Sequence, residues 1–282
     1  MTLLDNTRMY LFKTIIYVVC ITFGLMSILP FYLMFVNATR STNEIFNNNV
    51  TLIPSTYFAD NLRIMNRGAF DAMVGFKNSM TVSVGATVCA VYFSSLTAYG
   101  LVAYDWKLRR PFFTFILFVL MVPAQVTTIG FFQFMWRIGL VNNFIPLILP
   151  AIASPAIVFF MRQYLLSTLS LEIVDSARID GSGEFSTFNK IILPIMKPAI
   201  ATQAIFVFVA SWNALFLPMV LLTDTSRYTM PIMVTLLRGD IYRTELGAIY
   251  LGLSMTVIPL FILYFSLSKF IIAGVQLGGI KE

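Results

Sequence analysis

The sequence predicts an all-α integral membrane protein with six transmembrane helices, and three observations lead there. Of 282 residues, 58% are hydrophobic and 11% are charged, with a mean hydropathy of +0.83. A soluble domain carries about 25% charged residues, so this chain has too little polar material to make a wet surface. Six apolar runs also stand near the ~20 residues a helix needs to cross a bilayer. They cover about 14–36, 78–103, 112–134, 143–161, 199–222 and 247–272, and are almost free of ionisable side chains.

The first run follows Arg8 and Lys13. It is longer than the ~7–15-residue apolar core of a cleavable signal, so it reads as an uncleaved anchor. The polar 37–77 segment, with its Asn47-Asn48-Asn49 cluster, reads as an external loop with a short helix near 57–66. The second and sixth runs are long enough to tilt or to extend beyond the hydrocarbon. The 104–111 turn carries Lys107, Arg109 and Arg110 against Asp105, whereas the 135–142 turn has Arg137 alone. Basic excess in short loops marks the cytoplasmic side, which places both termini there and makes 223–246 external. Pro123, Pro150, Pro155, Pro218 and Pro259 fall in the runs and predict kinks or breaks.

The net charge of +6 follows from this topology and does not call for a nucleic-acid partner. There is no histidine, and Cys20 and Cys89 both lie in apolar runs, so they read as small buried hydrophobes. Zinc or haem would find few ligands, and no metal site is predicted.

The cytoplasmic segment 162–198 is the unusual one. It places Glu172, Asp175, Asp180 and Glu184 among Arg162, Arg178, Lys190 and Lys197, between two membrane runs. Ser170 can cap a helix over 171–180, which Gly181 would end in a left-handed turn. Ser182 can cap a second helix with Phe185, Phe188, Ile191 and Ile192 on one face, and Pro194 and Pro198 lead into the next run. An amphipathic helix resting on the membrane is one reading. Such helices usually present Lys and Arg to anionic lipid, and the balanced charge here favours a protein partner.

The run Asp175-Ser176-Ala177, Asp180-Gly181-Ser182, Phe188, Ile191, Leu193-Pro194 and Pro198 resembles the EAA loop of ABC importer permeases, with Asp175 and Ser176 where that family has glutamate and alanine. Gly139-Leu140-Val141-Asn142-Asn143, Met161-Arg162-Gln163-Tyr164, Ser211-Trp212-Asn213, Gly247-Ala248-Ile249-Tyr250 and the 269–282 ending resemble the carbohydrate-uptake class, in particular its maltose-permease-like subunit. The resemblance implies a type I ABC importer permease fold over 1–282 as a single transmembrane domain. It implies a second permease subunit, two ATP-binding cassette subunits and an extracytoplasmic sugar-binding protein as partners, in a bacterial plasma membrane. Asp175, Ala177, Arg178, Asp180, Gly181, Glu184, Phe185 and Phe188 would couple the chain to the ATPase subunits.

ATP-driven work needs a phosphate cradle such as Gly-x-x-x-x-Gly-Lys-Ser/Thr, and none occurs in this chain. No acid–base or nucleophile cluster nominates a catalytic residue. The chain is therefore expected to bind no cofactor, with ATP and Mg used by partner subunits. Gln125, Trp212 and Asn213 are the substrate-path candidates, because amides exchange hydrogen bonds with sugar hydroxyls and an indole ring stacks on a sugar face. Tyr92, Asn142, Asn143 and Gln203 are further polar positions in or beside spans, where side chains also bond helix to helix. An ion-coupled secondary transporter or channel acting without ATPase partners is the alternative, disfavoured by the lack of charge at membrane depth.

Overall fold

The computed structural model describes residues 3–47, 50–66, 70–237 and 245–279, excepting the side chains of 3–8, 10, 124–125 and 267–279. Its elements are helical, with no strand among the described residues. In order they are α1 (Leu3–Asn37), α2 (Thr42–Asn47), α3 (Phe58–Met65), α4 (Ala72–Ala103), α5 (Arg109–Leu120), α6 (Ala124–Arg137) and α7 (Ile145–Ile148). A 3-10 turn at Leu149–Ile152 leads to α8 (Pro155–Thr168), α9 (Leu171–Ile179) and α10 (Glu184–Thr187). A π turn at Phe188–Ile192 leads to α11 (Leu193–Ile195), α12 (Lys197–Trp212), α13 (Phe216–Leu221), α14 (Met230–Leu236) and α15 (Leu246–Gly279).

Four apolar helical stretches are long enough to cross a bilayer: Leu11–Asn37, Ala72–Ala103, Ile145–Thr168 and Leu246–Ser266. The other two expected runs are interrupted. The 112–134 run is divided between α5 and α6, and Pro123 sits at the break with φ −64° and ψ 123°. The 199–222 run ends its first helix at Trp212 and resumes at Phe216, which puts Pro218 in the first turn of α13, where its missing N–H costs no helical bond. At 16 residues α12 is about 24 Å long, short of the ~30 Å hydrocarbon core.

Two compact units can be told apart, one taking Met1–Phe70 with Val234–Val257 and the other Asp71–Met233 with Ile258–Glu282. In the first, Asn61 is buried and its Nδ2 donates to the carbonyls of Ala38 and Arg40, both at 2.9 Å. Ser41 and Glu44 form a reciprocal cap on α2: Ser41 N donates to Glu44 Oε2 at 3.0 Å and Glu44 N to Ser41 Oγ at 3.2 Å. That backbone bond holds the Glu44 carboxyl below its usual range. Gly247 packs against this turn, and a Cβ there would stand 2.3 Å from Arg40 O. The short helix expected near 57–66 is α3. Cys20, expected buried, is exposed on α1, whose apolar window has no buried residue within this chain. Its environment must come from lipid or another subunit.

In the second unit α4 is the central post. Asp71 caps it by accepting from Met73 N and Val74 N at 2.9 and 3.0 Å. Its buried positions are mostly small, among them Ser79, Ser83, Ala86, Ala90, Ser94 and Ala98. Small side chains let helix backbones approach closely, and α12 and α8 both pack along it. The buried cluster at one end joins Tyr99, Met161, Leu165, Val174, Phe188, Ile192 and Met196.

Candidate functional site

The 171–198 segment folds as the two-helix elbow its glycines and prolines predict. Ser170 stands at the start of α9, but its side chain makes no capping bond. The helix ends in a paired-bond C-cap: Gly181 N donates to Arg178 O at 3.0 Å and Ser182 N to Ala177 O at 2.9 Å, with Gly181 at φ +79°. Gly183, not Ser182, stands at the N-cap of α10, and Ser182 Oγ instead accepts from Thr187 Oγ1 at 3.0 Å. At Met196 the chain then turns by 80° into α12.

The elbow sorts the expected residues into two groups. Ala177 and Phe188 are buried with Val174 and Ile192 and form its anchored side. Asp175, Arg178, Asp180, Gly181, Glu184 and Phe185 are on the open side. Phe185 does not share the face of Phe188 and Ile192: it is 67% exposed, while those two are fully buried. The first turn of α10 directs position 185 about a quarter-turn away from the face that positions 187, 188 and 192 press inward. The π turn widens the helix there, a feature that periodicity alone does not signal.

Arg178 is the electrostatic hinge pin. Its Nε donates to Glu184 Oε1 at 2.8 Å and its Nη1 to Asp175 Oδ1 at 3.1 Å. Glu184 Oε2 accepts from the Tyr104 hydroxyl and, at 3.5 Å, from that of Tyr99. The Arg178 bond, with the Tyr104 bond second, holds the Glu184 carboxyl below its usual range. Burial and the neighbouring Glu184 carboxylate push the Tyr104 phenol up, so it remains a donor. The bond to Glu184 likewise raises Arg178.

Three contributors were missed in the sequence. Nothing in the sequence singles out Tyr99 and Tyr104 beyond the seven-residue spacing that puts Tyr92 and Tyr99 on one helix face. Ile179 is 87% exposed at the end of α9. An isoleucine just before Asp-Gly in a charged loop was its signal. Phe185, Leu171 and Ile173 are exposed as well, and Ile179 and Phe185 each directly follow a member of the ion pairs, Arg178 and Glu184.

The substrate-path candidates fare differently. The Gln125 side chain lies outside the described residues. Trp212 is 1% exposed, stacked on Phe208 at 5.6 Å and met edge-on by Phe76 at 5.8 Å, so neither face of its ring is open to a sugar. Asn213 is exposed at the break after α12. Tyr92 donates to Asn189 Oδ1 at 3.2 Å, which makes it an anchor of the elbow. Asn142, left-handed at φ 58°, donates to Asp224, and Asn143 accepts from Ile145 N at 2.9 Å, so both amides hold local turns. An apolar cleft of about 550 Å³ lies beside the same break, between Thr127, Thr128 and Phe131 of α6, Pro146 and the 214–217 segment.

The match to known proteins follows this geometry. The family described as "Binding-protein-dependent transport system inner membrane component" matches residues 73–276, which include α4, the elbow and α12. The chain is similar to the arabinooligosaccharides transport system permease protein AraQ of Halalkalibacterium halodurans, 37% identical over 258 residues, covering 90% of this chain and 91% of that one. It is also similar to the lactose transport system permease protein LacG of Rhizobium radiobacter, 31% identical over 256 residues, with 91% and 92% covered. Among solved structures, a chain of a bacterial ABC transporter that imports the acidic polysaccharide alginate shares the fold. It has a TM-score of 0.78 and 24% identity, with 95% of this chain and 98% of that one covered. An all-helical chain with an elbow anchored between membrane helices, matched over most of its length, belongs to the binding-protein-dependent transport inner membrane components, the permease subunits of ABC importers.

Proposed function

We propose that this chain forms one half of the translocation path of an ATP-driven importer for a sugar or oligosaccharide, and that its 171–192 elbow couples the path to ATPase subunits. The observation that carries the reading is the two-sided elbow. One side is locked into the α4 cluster by Phe188 and Ile192, and the other presents Ile179 and Phe185 around a charged centre. Exposed apolar side chains beside ion pairs suit burial against a soluble protein. Resemblance to an arabinooligosaccharide and a lactose permease supports a carbohydrate cargo.

In this reading α1, α4, the α5–α6 pair, the α7–α8 stretch, the α12–α13 pair and α15 supply six crossings, with both termini cytoplasmic. A second permease completes the path, two ATPase subunits bind ATP and Mg, and an extracytoplasmic binding protein delivers the sugar. The chain itself carries out no catalysis. Asn213 and the adjacent cleft are the part of the path this chain offers, and Trp212 shapes it from behind.

The test is purification of the tagged chain in mild detergent, followed by reconstitution with whatever subunits accompany it. Retention of an ATPase subunit and a second permease, with ATP-dependent uptake of a labelled arabinooligosaccharide or lactose, is expected. A chain that purifies alone and moves solute without ATP overturns the reading.

A further inference from the structure

Two tyrosines on α4 and one just past its end line up with the second half of the elbow. The Tyr92 hydroxyl donates to Asn189 Oδ1 at 3.2 Å, and its ring meets Phe188 edge-on at 5.7 Å. Tyr99 stacks on Phe188 at 5.8 Å with 29° between planes, and its hydroxyl reaches Glu184 Oε2 at 3.5 Å. Tyr104, just past the helix end, meets Tyr99 edge-on at 5.5 Å, donates to the same Glu184 oxygen and lies under the Arg178 guanidinium at 5.4 Å. These contacts key one face of α4 to successive positions 184, 188 and 189 of the elbow.

We propose that Tyr92, Tyr99 and Tyr104 form a latch, with Glu184 as its charged joint, that makes α4 the span through which displacement of the elbow enters the membrane. The proposal rests on the coupling reading above and adds which span receives the motion. The covalent route from the elbow runs into α12 through the 80° bend at Met196. A bend of that size is a poor lever, because Pro194 and Pro198 stand in the first turns of α11 and α12 on either side of it and begin separate helices rather than one continuous rod. The route through α4 is stiff: it is a continuous helix of 32 residues, about 48 Å long, with no internal proline. Glu184 binds both sides of the joint, Arg178 on the first elbow helix and the two phenols at the end of α4. A push on Ile179 or Phe185 therefore reaches α4 through a carboxylate with charge-assisted bonds, and those are the stronger hydrogen bonds of such a network. Tyr99, Tyr104 and Tyr92 are positioning residues, acting on the path through the elbow.

The Tyr99→Phe/Tyr104→Phe pair removes both hydroxyls and keeps the rings that fill the cluster. The assay uses the whole importer with Cys20→Ala and Cys89→Ala, and an environment-sensitive fluorophore on Met73→Cys, which is exposed at the far end of α4. The probe is MgATP with vanadate, so no sugar is needed. The parent complex is expected to show a fluorescence change on nucleotide trapping. The latch variant is expected to trap nucleotide normally, unfold at the same temperature and show a much smaller change. Loss of two bonds to a carboxylate shifts a latched–unlatched equilibrium about tenfold or more. Tyr104→Phe alone should give an intermediate loss, and it keeps the test valid if the double variant is poorly expressed. Ile179→Asp serves as the control for the coupling reading. A full change in the latch variant together with its loss in Ile179→Asp overturns the latch and leaves the coupling reading standing. A full change in both overturns the coupling reading itself.

Discussion

Two phenylalanines three residues apart in the elbow should behave in opposite ways. Phe188 is fully buried between Tyr92 and Tyr99, whereas Phe185 is 67% exposed. Phe188→Ala removes a ring from a packed cluster that also includes Ile192, Met196 and Leu165. Truncation of a buried phenylalanine costs about 3–5 kcal/mol, counting the cavity left behind. The two aromatic contacts contribute about 0.5–1.5 kcal/mol each within or beyond that sum. Phe185→Ala removes no buried contact and should fall within about 0.5 kcal/mol of the parent, as exposed substitutions do. Thermal unfolding of the purified chain in detergent, followed by loss of its helical circular dichroism, separates the two. Phe188→Ala should melt well below the parent, and Phe185→Ala at the parent's temperature. Retention of ATPase subunits after washing reads the second property, which Phe185→Ala should reduce while the permease stays folded. The reasoning is refuted if Phe185→Ala destabilises the chain as much as Phe188→Ala, because the elbow would then be rotated relative to the packing described. It is equally refuted if Phe188→Ala is silent in the melt.

Among the described glycines, Gly247→Ala should be the most damaging substitution, since the new methyl would meet Arg40 O at 2.3 Å and the Asn61 amide at 2.5 Å. Overpacking of this kind costs typically about 1–3 kcal/mol, and a melt unchanged from the parent would contradict the packing. Gly181→Ala meets no neighbouring atom and suffers only the left-handed backbone, about 1–2 kcal/mol, so uptake should weaken while the melt shifts modestly. The latch should also be insensitive to pH over a wide window. Glu184 has a folded pKa below its unfolded value near 4.3, so its contribution is complete above that value and fades as pH falls through the lower folded one. Tyr104 has a folded pKa above its unfolded value near 10, so its contribution is complete below that value and fades as pH rises through the higher folded one. Mobility of a nitroxide on Ile179→Cys should stay flat between about pH 5 and pH 10, and a step inside that window would contradict the latch, since neither its carboxylate nor its phenols titrate there.

The course of the elbow was legible because its residues act locally. Gly181 supplies a positive φ that few other residues adopt, and Pro194 and Pro198 lack N–H groups, so both ends of the motif are dictated by backbone chemistry at named positions. Which side of the elbow faces inward was not legible, because it depends on the π turn at Phe188–Ile192 and on what α4 presents to it. The same division explains the path candidates. Trp212 and Asn213 are adjacent and chemically apt for a sugar, yet the break after α12 buries the ring against Phe208 and Phe76 and leaves the amide outside. A sequence records that an aromatic ring is available near a membrane helix end but not whether the fold has already used it. Tyr92 is the same lesson in reverse: a residue apt for substrate is spent on Asn189. Aptness for a ligand and aptness for helix packing are the same chemistry inside a bilayer, where amides, hydroxyls and rings are few and each must find a partner. The residues that remain open after packing, Asn213 beside the proposed path and Ile179 with Phe185 on the elbow, are therefore where substitutions should change transport without unfolding the chain.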